Sequence, residues 1–245
     1  MRIVAIIPAR YGSTRLPGKP LLAETGKPMV RHVIESVRQA RCVEEVVVAT
    51  DDERIAAAAK AAGARAIMTR PDHATGTDRL AEAARALGLA GDDVVINVQG
   101  DEPEVCPDHL DRLADLLVDS SAPMATLAAP LDPAAAEAPD NVKVVCAADG
   151  TAMYFSRSKI PHDRDGVGAA YLLHLGVYAY RVAFLLAFAA MPATPAERAE
   201  RLEQLRALEN GHRIAVAVVD AAAPGIDTAE DYAAFVRRTK RRPAT

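Results

Sequence analysis

Cysteine is scarce in this chain of 245 residues: Cys42, Cys106 and Cys146 are odd in number and far apart. They match neither a disulfide framework nor a zinc-ligand spacing, so they read as reduced thiols of a cytoplasmic protein. Long apolar runs are missing as well. The apolar stretch before Pro8 in MRIVAIIPAR is shorter than the roughly 7–15 residues of a signal-peptide core. VAFLLAFAAM, Val182 to Met191, falls well short of the roughly 20 residues that span a bilayer, and Arg181 flanks it. It reads as a buried helix, and no membrane partner is expected. Nor does one sign of charge dominate. With a formal net charge of -4 and 25% charged residues, the composition gives no pull toward nucleic acid or an anionic surface. The basic run RRTKRRPAT has no aromatic residues for base stacking and reads as cations complementing a helix C-terminus. No linker, low-complexity tract or internal repeat is visible, and AAPLDPAAAEAPD reads as a surface excursion.

What the chain does have is apolar residues, half of the total, enough for a large core. In the first half they alternate between two periods. RIVAII, EEVVVAT, RAIMT and DDVVINV read as buried parallel strands. Between them PMVRHVIESVRQAR, DDERIAAAAKAAG and GTDRLAEAARALGLAG read as helices, followed by PDHLDRLADLLVD. This β-α alternation predicts an α/β fold, a Rossmann-like and mostly parallel sheet with helices on both faces. Such sheets take ligands beyond the C-terminal ends of their strands, which gathers residues 8–20, 69–79 and 99–105 on one edge. In the second half PMATLAAPL, NVKVVCAADG, AMYFSRSKI and LLHLGVYAY read as strands, some antiparallel, a smaller mixed-sheet insertion. AERAERLEQLRALENG reads as one helix ending at Gly211, RIAVAVVD as a strand and DTAEDYAAFVRRTK as a capped helix.

The stretch IIPARYGSTRLPGKPL puts Arg10, Arg15 and Lys19 at a strand end. A phosphate loop of the G-x-x-x-x-G-K-[ST] type does not fit: five residues separate Gly12 from Gly18, and Pro20 stands where the hydroxyl belongs. The G-x-G-x-x-G dinucleotide fingerprint does not fit either. There remains a loop with two glycines for close backbone approach, stiffened by prolines and carrying three cations, which suits a polyanion such as a nucleoside triphosphate. A solvated basic loop has the same composition. In QGDEP, Asp101 suits a hard cation at a strand end, whereas Glu102 reads as complementing the dipole of the next helix. Asp227 in GIDTAEDY fits the N-cap of the last helix with Glu230 at capping-box spacing, and Thr228 can take the cap instead.

PAR-GSTRLPGKPL resembles the signature of the sugar-activating nucleotidyltransferases, and within them the cytidylyltransferases that charge 3-deoxy-manno-octulosonate (Kdo). The likeness continues in order through VATDDERI, MTRPDHATGTDRLAEA, VINVQGDEP, NVKVV, YFSRSKIP, HLGVYAY, LEQLRALENG and GIDTAEDY, nearly the whole chain. It implies a single nucleotidyltransferase domain, 1–120 a nucleotide-binding half and 121–245 a sugar-binding and dimerising half. It further implies a cytoplasmic homodimer in lipopolysaccharide biosynthesis, with CTP and an acidic sugar as substrates and Mg2+ as cofactor. The alternative acceptor is another acidic sugar such as sialic acid or 8-amino-Kdo.

By the same resemblance Pro8, Ala9, Arg10, Gly12, Ser13, Arg15 and Lys19 embrace the triphosphate, with Arg10, Arg15 and Lys19 acting in catalysis. Thr75, Gly76 and Arg79 hold the base and ribose, and Asp101 and Asp227 hold the metal. Gln99, Arg157, His174, Tyr178, Glu203 and Gln204 take the sugar acid. Read without the resemblance, Arg157 fits a surface ion pair and His174 a core histidine. The chain departs from the family pattern at IPHDRD, where His162 replaces an aromatic residue, and in RDGVGAAYLLHLG, which is short. A non-catalytic nucleotide-binding module on the same fold is the rival from another class.

Overall fold

The computed structural model describes residues 1–12, 16–221 and 225–241. They divide into two compact units, one of residues 1–111 and 223–245, the other of residues 112–222.

The first unit holds β1 (Ile3–Ala9), α1 (Met29–Val37), β2 (Glu45–Thr50), α2 (Glu53–Ala61), β3 (Arg65–Met68), α3 (Gly76–Ala86) and β4 (Val94–Asn97). The helix α4 (Pro107–Asp119) begins in it. Its strands lie in the order β3-β2-β1-β4, all parallel. β1 and β4 are buried almost throughout because valine and isoleucine fill both faces of a sheet covered on both sides. Each helix begins where its sequence permits. Asp52 caps α2 by accepting from Arg54 N at 2.9 Å, and Thr75 and Asp78 form a capping box at the start of α3. The strand order reverses at β1, with β2 and β3 on one side and β4 on the other. A crevice for a ligand opens at such a switch point.

The last helix, α8 (Ala229–Arg241), returns to this unit. Tyr232, Phe235 and Val236 line its buried stripe and cluster with Met29 and Ile226, against which Leu16 and Leu22 pack. Tyr232 Oη accepts a hydrogen bond from Glu24 N at 2.9 Å, and Arg238 pairs with Glu104. The basic residues Arg238, Lys240 and Arg241 occupy its final turn, where cations complement the helix dipole.

The second unit is built on β5 (Met124–Leu131), β6 (Lys143–Cys146), β7 (Ala152–Ser156), β8 (Tyr171–Arg181) and β9 (Ile214–Val218). β5 runs antiparallel to β8 and parallel to β9, and β6 pairs antiparallel with β7 and β8, the mixed arrangement expected. VAFLLAFAAM forms α5 (Val182–Ala190), with Val182, Phe184, Leu185 and Phe188 buried. The single helix expected over 196–211 is instead two, α6 (Pro195–Glu200) and α7 (Gln204–Glu209). Arg201 breaks it with a left-handed φ of 53°. That conformation costs a non-glycine residue about 1–2 kcal/mol. Leu202, buried in the break, and the Arg206–Glu197 pair at 2.6 Å offset it. Among the described residues no helix is long and apolar enough to cross a membrane.

Candidate active site

At the switch point of the first unit β1 and β4 approach so closely that a side chain is excluded. A Cβ on Gly100 would lie 3.0 Å from the carbonyl oxygen of Pro8. Beyond them opens a cavity of about 330 Å³ lined by Pro8, Ala9, Arg10, Lys19, Pro20, His73, Ala74, Thr75, Gly76, Arg79, Gln99, Gly100, Asp101 and Asp227. All three loops expected on this edge contribute.

Lys19 is delivered by a turn. Gly18, at φ 67°, takes a left-handed conformation beneath the Tyr11 ring, and its N–H bonds to Tyr11 O at 3.2 Å. The chain then winds through one short 3-10 turn, Lys19–Leu21. Gly18 is thus needed for its backbone conformation. A Cβ on Gly12 would meet nothing within 4 Å among the described residues.

The Lys19 ammonium donates to Asp101 Oδ2 at 2.8 Å and to the Ile226 carbonyl at 2.6 Å, and lies 3.5 Å from Asp227 Oδ1. Residues from positions 19, 101 and 227 therefore meet at one point. The meeting is built by α8: its apolar stripe docks on the core, and Ile226 N donates to Asp101 O at 3.0 Å. Asp227 does not cap this helix. Thr228 Oγ1 accepts from Asp231 N at 3.1 Å, and Asp231 accepts from Thr228 N at 2.9 Å, a reciprocal box that leaves the Asp227 carboxylate to the cavity.

Glu102 is also not where the sequence suggested. α4 begins at Pro107, and Asp108 occupies its first turn. Glu102 lies in the preceding turn, where burial and the neighbouring Asp101 raise its carboxyl pKa to about 8.

The opposite wall is the N-terminus of α3. Thr75 and Gly76 stand at the cavity, the Thr75 hydroxyl also accepting from Asp78 N at 3.2 Å. Arg79 is buried, and its guanidinium is fixed by Thr69 Oγ1 and by Asp51 Oδ2 at 3.3 Å. His73 bonds through Nε2 to Glu82, which also accepts from Arg70 N at 3.2 Å. Ser13 and Arg15, expected at the triphosphate, lie outside the described residues.

Of the expected sugar-acid residues, Gln99 is in this cavity and the others belong to the second unit. There Arg157 donates to Glu200 O at 2.8 Å and to Pro139 O at 3.2 Å, so it is mounted on backbone carbonyls, and among the described residues it makes no ion pair of the kind its sequence context allowed. His174 packs edge-on against Phe155 and beside Tyr178, with Thr126 Oγ1 3.2 Å from Nε2. Burial pushes its imidazole down to about 3, so it stays neutral. Burial, together with Tyr180 and Glu203, pushes the Tyr178 phenol up. Gln204 is buried, and its Nε2 has no hydrogen-bond partner among the described residues.

The sequence reading passed over Pro20, His73, Ala74 and Gly100 as wall residues. Gly100 carried a readable signal, a glycine between a buried strand and an acidic turn. His73 carried none by itself, because its partner Glu82 follows nine positions later.

A parallel sheet with a cleft of about 330 Å³ at its switch point, lined by a lysine and two carboxylates, places the chain among the α/β proteins that take a ligand at the strand ends. The chain belongs to the cytidylyltransferase family, whose model matches residues 4–214. It is 52% identical over 240 residues to a protein of Syntrophobacter fumaroxidans named 3-deoxy-manno-octulosonate cytidylyltransferase, with 96% of each chain covered. A protein of the same name from an Anaeromyxobacter species is 53% identical over 231 residues, covering 94% of this chain and 93% of the other. A solved structure described as CMP:2-keto-3-deoxy-manno-octonic acid synthetase complexed with CTP superposes with a TM-score of 0.94. It is 44% identical, with 98% of this chain and 99% of that one covered.

Proposed function

We propose that the protein transfers CMP from CTP to the anomeric hydroxyl of Kdo, giving CMP-Kdo and pyrophosphate. One observation carries the reading: Lys19, Asp101 and Asp227 converge on a cavity also lined by Arg10, in a chain half identical to Kdo cytidylyltransferases along nearly its whole length. In the reaction the anomeric oxygen forms a bond to the α-phosphorus. The bond from that phosphorus to the bridging oxygen breaks, and pyrophosphate departs with the electron pair. The hydroxyl proton passes to solvent. Positioning and charge neutralisation supply most of the rate in such a displacement. Arg10 and Lys19 hold the phosphates, with Lys19 at the α-phosphate, and Arg15 joins them by resemblance to the family.

A metal fits the same place. An ammonium already bridges two carboxylates there, and magnesium is ordinarily held by one or two carboxylates together with substrate phosphates. Asp101 and Asp227 are the proposed ligands. Bound magnesium neutralises phosphate charge and makes the attacking hydroxyl more acidic. On the acceptor side we assign Gln99, Arg157, His174, Tyr178, Glu203 and Gln204 to the sugar acid. Because His174 is neutral, the positive charge for the acceptor carboxylate falls to Arg157.

Pyrophosphate release from CTP tests the proposal, measured with Kdo, with sialic acid and with no acceptor. Release that depends on Kdo is expected. Equal release with sialic acid would move the substrate to the alternative, and CTP binding without release would make the chain a binding module. The same reading carries lipopolysaccharide synthesis, a cytoplasmic setting and a homodimer, the last to be checked by sedimentation.

A further inference from the structure

The guanidinium assigned above to the acceptor carboxylate is held in the second unit without a counter-charge. Among the described residues Arg157 has no ion pair, and Nε and Nη1 donate instead to the Glu200 and Pro139 carbonyls. A carboxylate is nevertheless close. Glu200 Oε1 accepts from Ser156 Oγ at 2.6 Å, and Oε2 accepts from the Arg157 backbone N–H at 3.0 Å. One residue thus grips Arg157 twice, by its side chain on the main chain and by its carbonyl on the guanidinium. From the other side Lys143, fully buried, donates to Arg157 O at 2.6 Å. The acid that would ordinarily neutralise the arginine is engaged with its backbone. The guanidinium charge therefore stays available to an anion, on a side chain already deprived of its freedom.

The carbonyl that does this is available because a helix stops. The last carbonyls of a helix have no partner inside it. Had α6 and α7 been the one helix that the sequence predicts, Glu200 O would take the N–H of Gln204, four residues on. The left-handed Arg201, at φ 53°, ends α6 at Glu200 and leaves that oxygen to Arg157 Nε. The unfavourable conformation at Arg201 hence has a use.

We propose that Glu200 is a positioning residue of the acceptor site: its carboxylate, and the carbonyl freed by the break at Arg201, aim Arg157 at the carboxylate of the sugar acid. This rests on the reading that Arg157 meets that carboxylate. Glu200 itself touches no substrate. Its effect falls on the acceptor and not on CTP.

Kinetics of pyrophosphate release separate positioning from general support, with thermal melting to check folding. Glu200→Ala deletes both side-chain bonds. It is expected to raise KM for Kdo about tenfold or more, with little change in kcat or in KM for CTP. Glu200→Gln supplies an oxygen to accept from Arg157 N and an NH2 to donate to Ser156 Oγ, and should restore most of the loss. Arg201→Gly keeps the left-handed break without the side chain and should leave KM for Kdo unchanged. The proposal is overturned if Glu200→Ala leaves KM for Kdo unchanged or raises both KM values alike, or if Glu200→Gln is as poor as Glu200→Ala. A raised KM for Kdo in Arg201→Gly overturns the part given to the break. Nitrogen-15 spectra supply a readout that needs no substrate: the Arg157 Nε–H resonance should shift and broaden in Glu200→Ala, and one unchanged in position and width overturns the proposal as well. Arg157→Lys is the control on the underlying reading. An unchanged KM for Kdo in that variant, beside an Nε–H resonance disturbed in Glu200→Ala, would remove the acceptor assignment and leave Glu200 as the holder of Arg157.

Discussion

Lys19 is the residue on which the site turns. Its ammonium is satisfied by two carboxylates and a backbone carbonyl, which fix it in the cavity; in the proposed mechanism this is where charge develops during transfer. Replacing it with alanine leaves the two carboxylates facing each other without a cation. Lys19→Ala is expected to lower kcat for pyrophosphate release by about a hundredfold or more, by analogy with the loss of a preorganised stabilising group, with a smaller change in KM. Asp101→Asn should abolish magnesium-dependent release. Steady-state assays check both, and near-normal turnover in either variant removes that residue from the mechanism. The sequence showed Lys19 and Asp101 as strand-end groups suited to phosphate and metal. It offered Asp227 only as a helix cap, and resemblance to the family was needed to move it into the site. Nothing local says that Thr228 and Asp231 will close the cap between themselves.

At the scale of elements, α8 does the assembling. That DTAEDYAAFVRRTK forms a helix was legible, as were the strands of the first unit, because local sequence pattern sets both. What periodicity could not show is where an amphipathic helix docks, since any apolar patch of the right width would satisfy it. The break at Arg201 was hidden for a related reason: leucine and glutamate spacing continues through 196–211, and only the pairing of Arg206 with Glu197 shows that the chain folds back. The helix makes its own prediction. Phe235 is 2% exposed, so Phe235→Ala should cost about 3–5 kcal/mol in urea unfolding. Pyrophosphate release should fall further than the folded fraction explains, because the anchor for Asp227 is loosened. A variant whose activity simply tracks its folded fraction would show that Asp227 is placed by other means.

The molecule as a whole carries two imidazoles that resist protonation when folded. Burial, aided by Lys27, lowers His32 from 6.5 to about 4, and burial lowers His174 from 6.5 to about 3. The unfolded chain binds these protons more readily. The share of stability that these two histidines carry is therefore complete above about pH 6.5 and declines as the pH falls, levelling off below about 4 for His32 and about 3 for His174. Glu102, raised from 4.5 to about 8, acts with the opposite sign and destabilises the fold as the pH rises from about 4.5 to 8. At pH 5 linkage gives a loss of about 2 kcal/mol for each histidine relative to pH 8. Urea unfolding at pH 8 and pH 5 is compared between the unmodified protein and His32→Gln, and the two pH differences should themselves differ by about 2 kcal/mol, the His32 share. A variant with the same pH difference as the unmodified protein would exclude His32 as a source.

The route of the chain also has a consequence for how the protein is made. Asp101 emerges from the ribosome early, but its companion at position 227 must wait until all of residues 112–222 have been synthesised. A chain stalled anywhere in that stretch already has its strand-end lysine and first acid yet lacks the second.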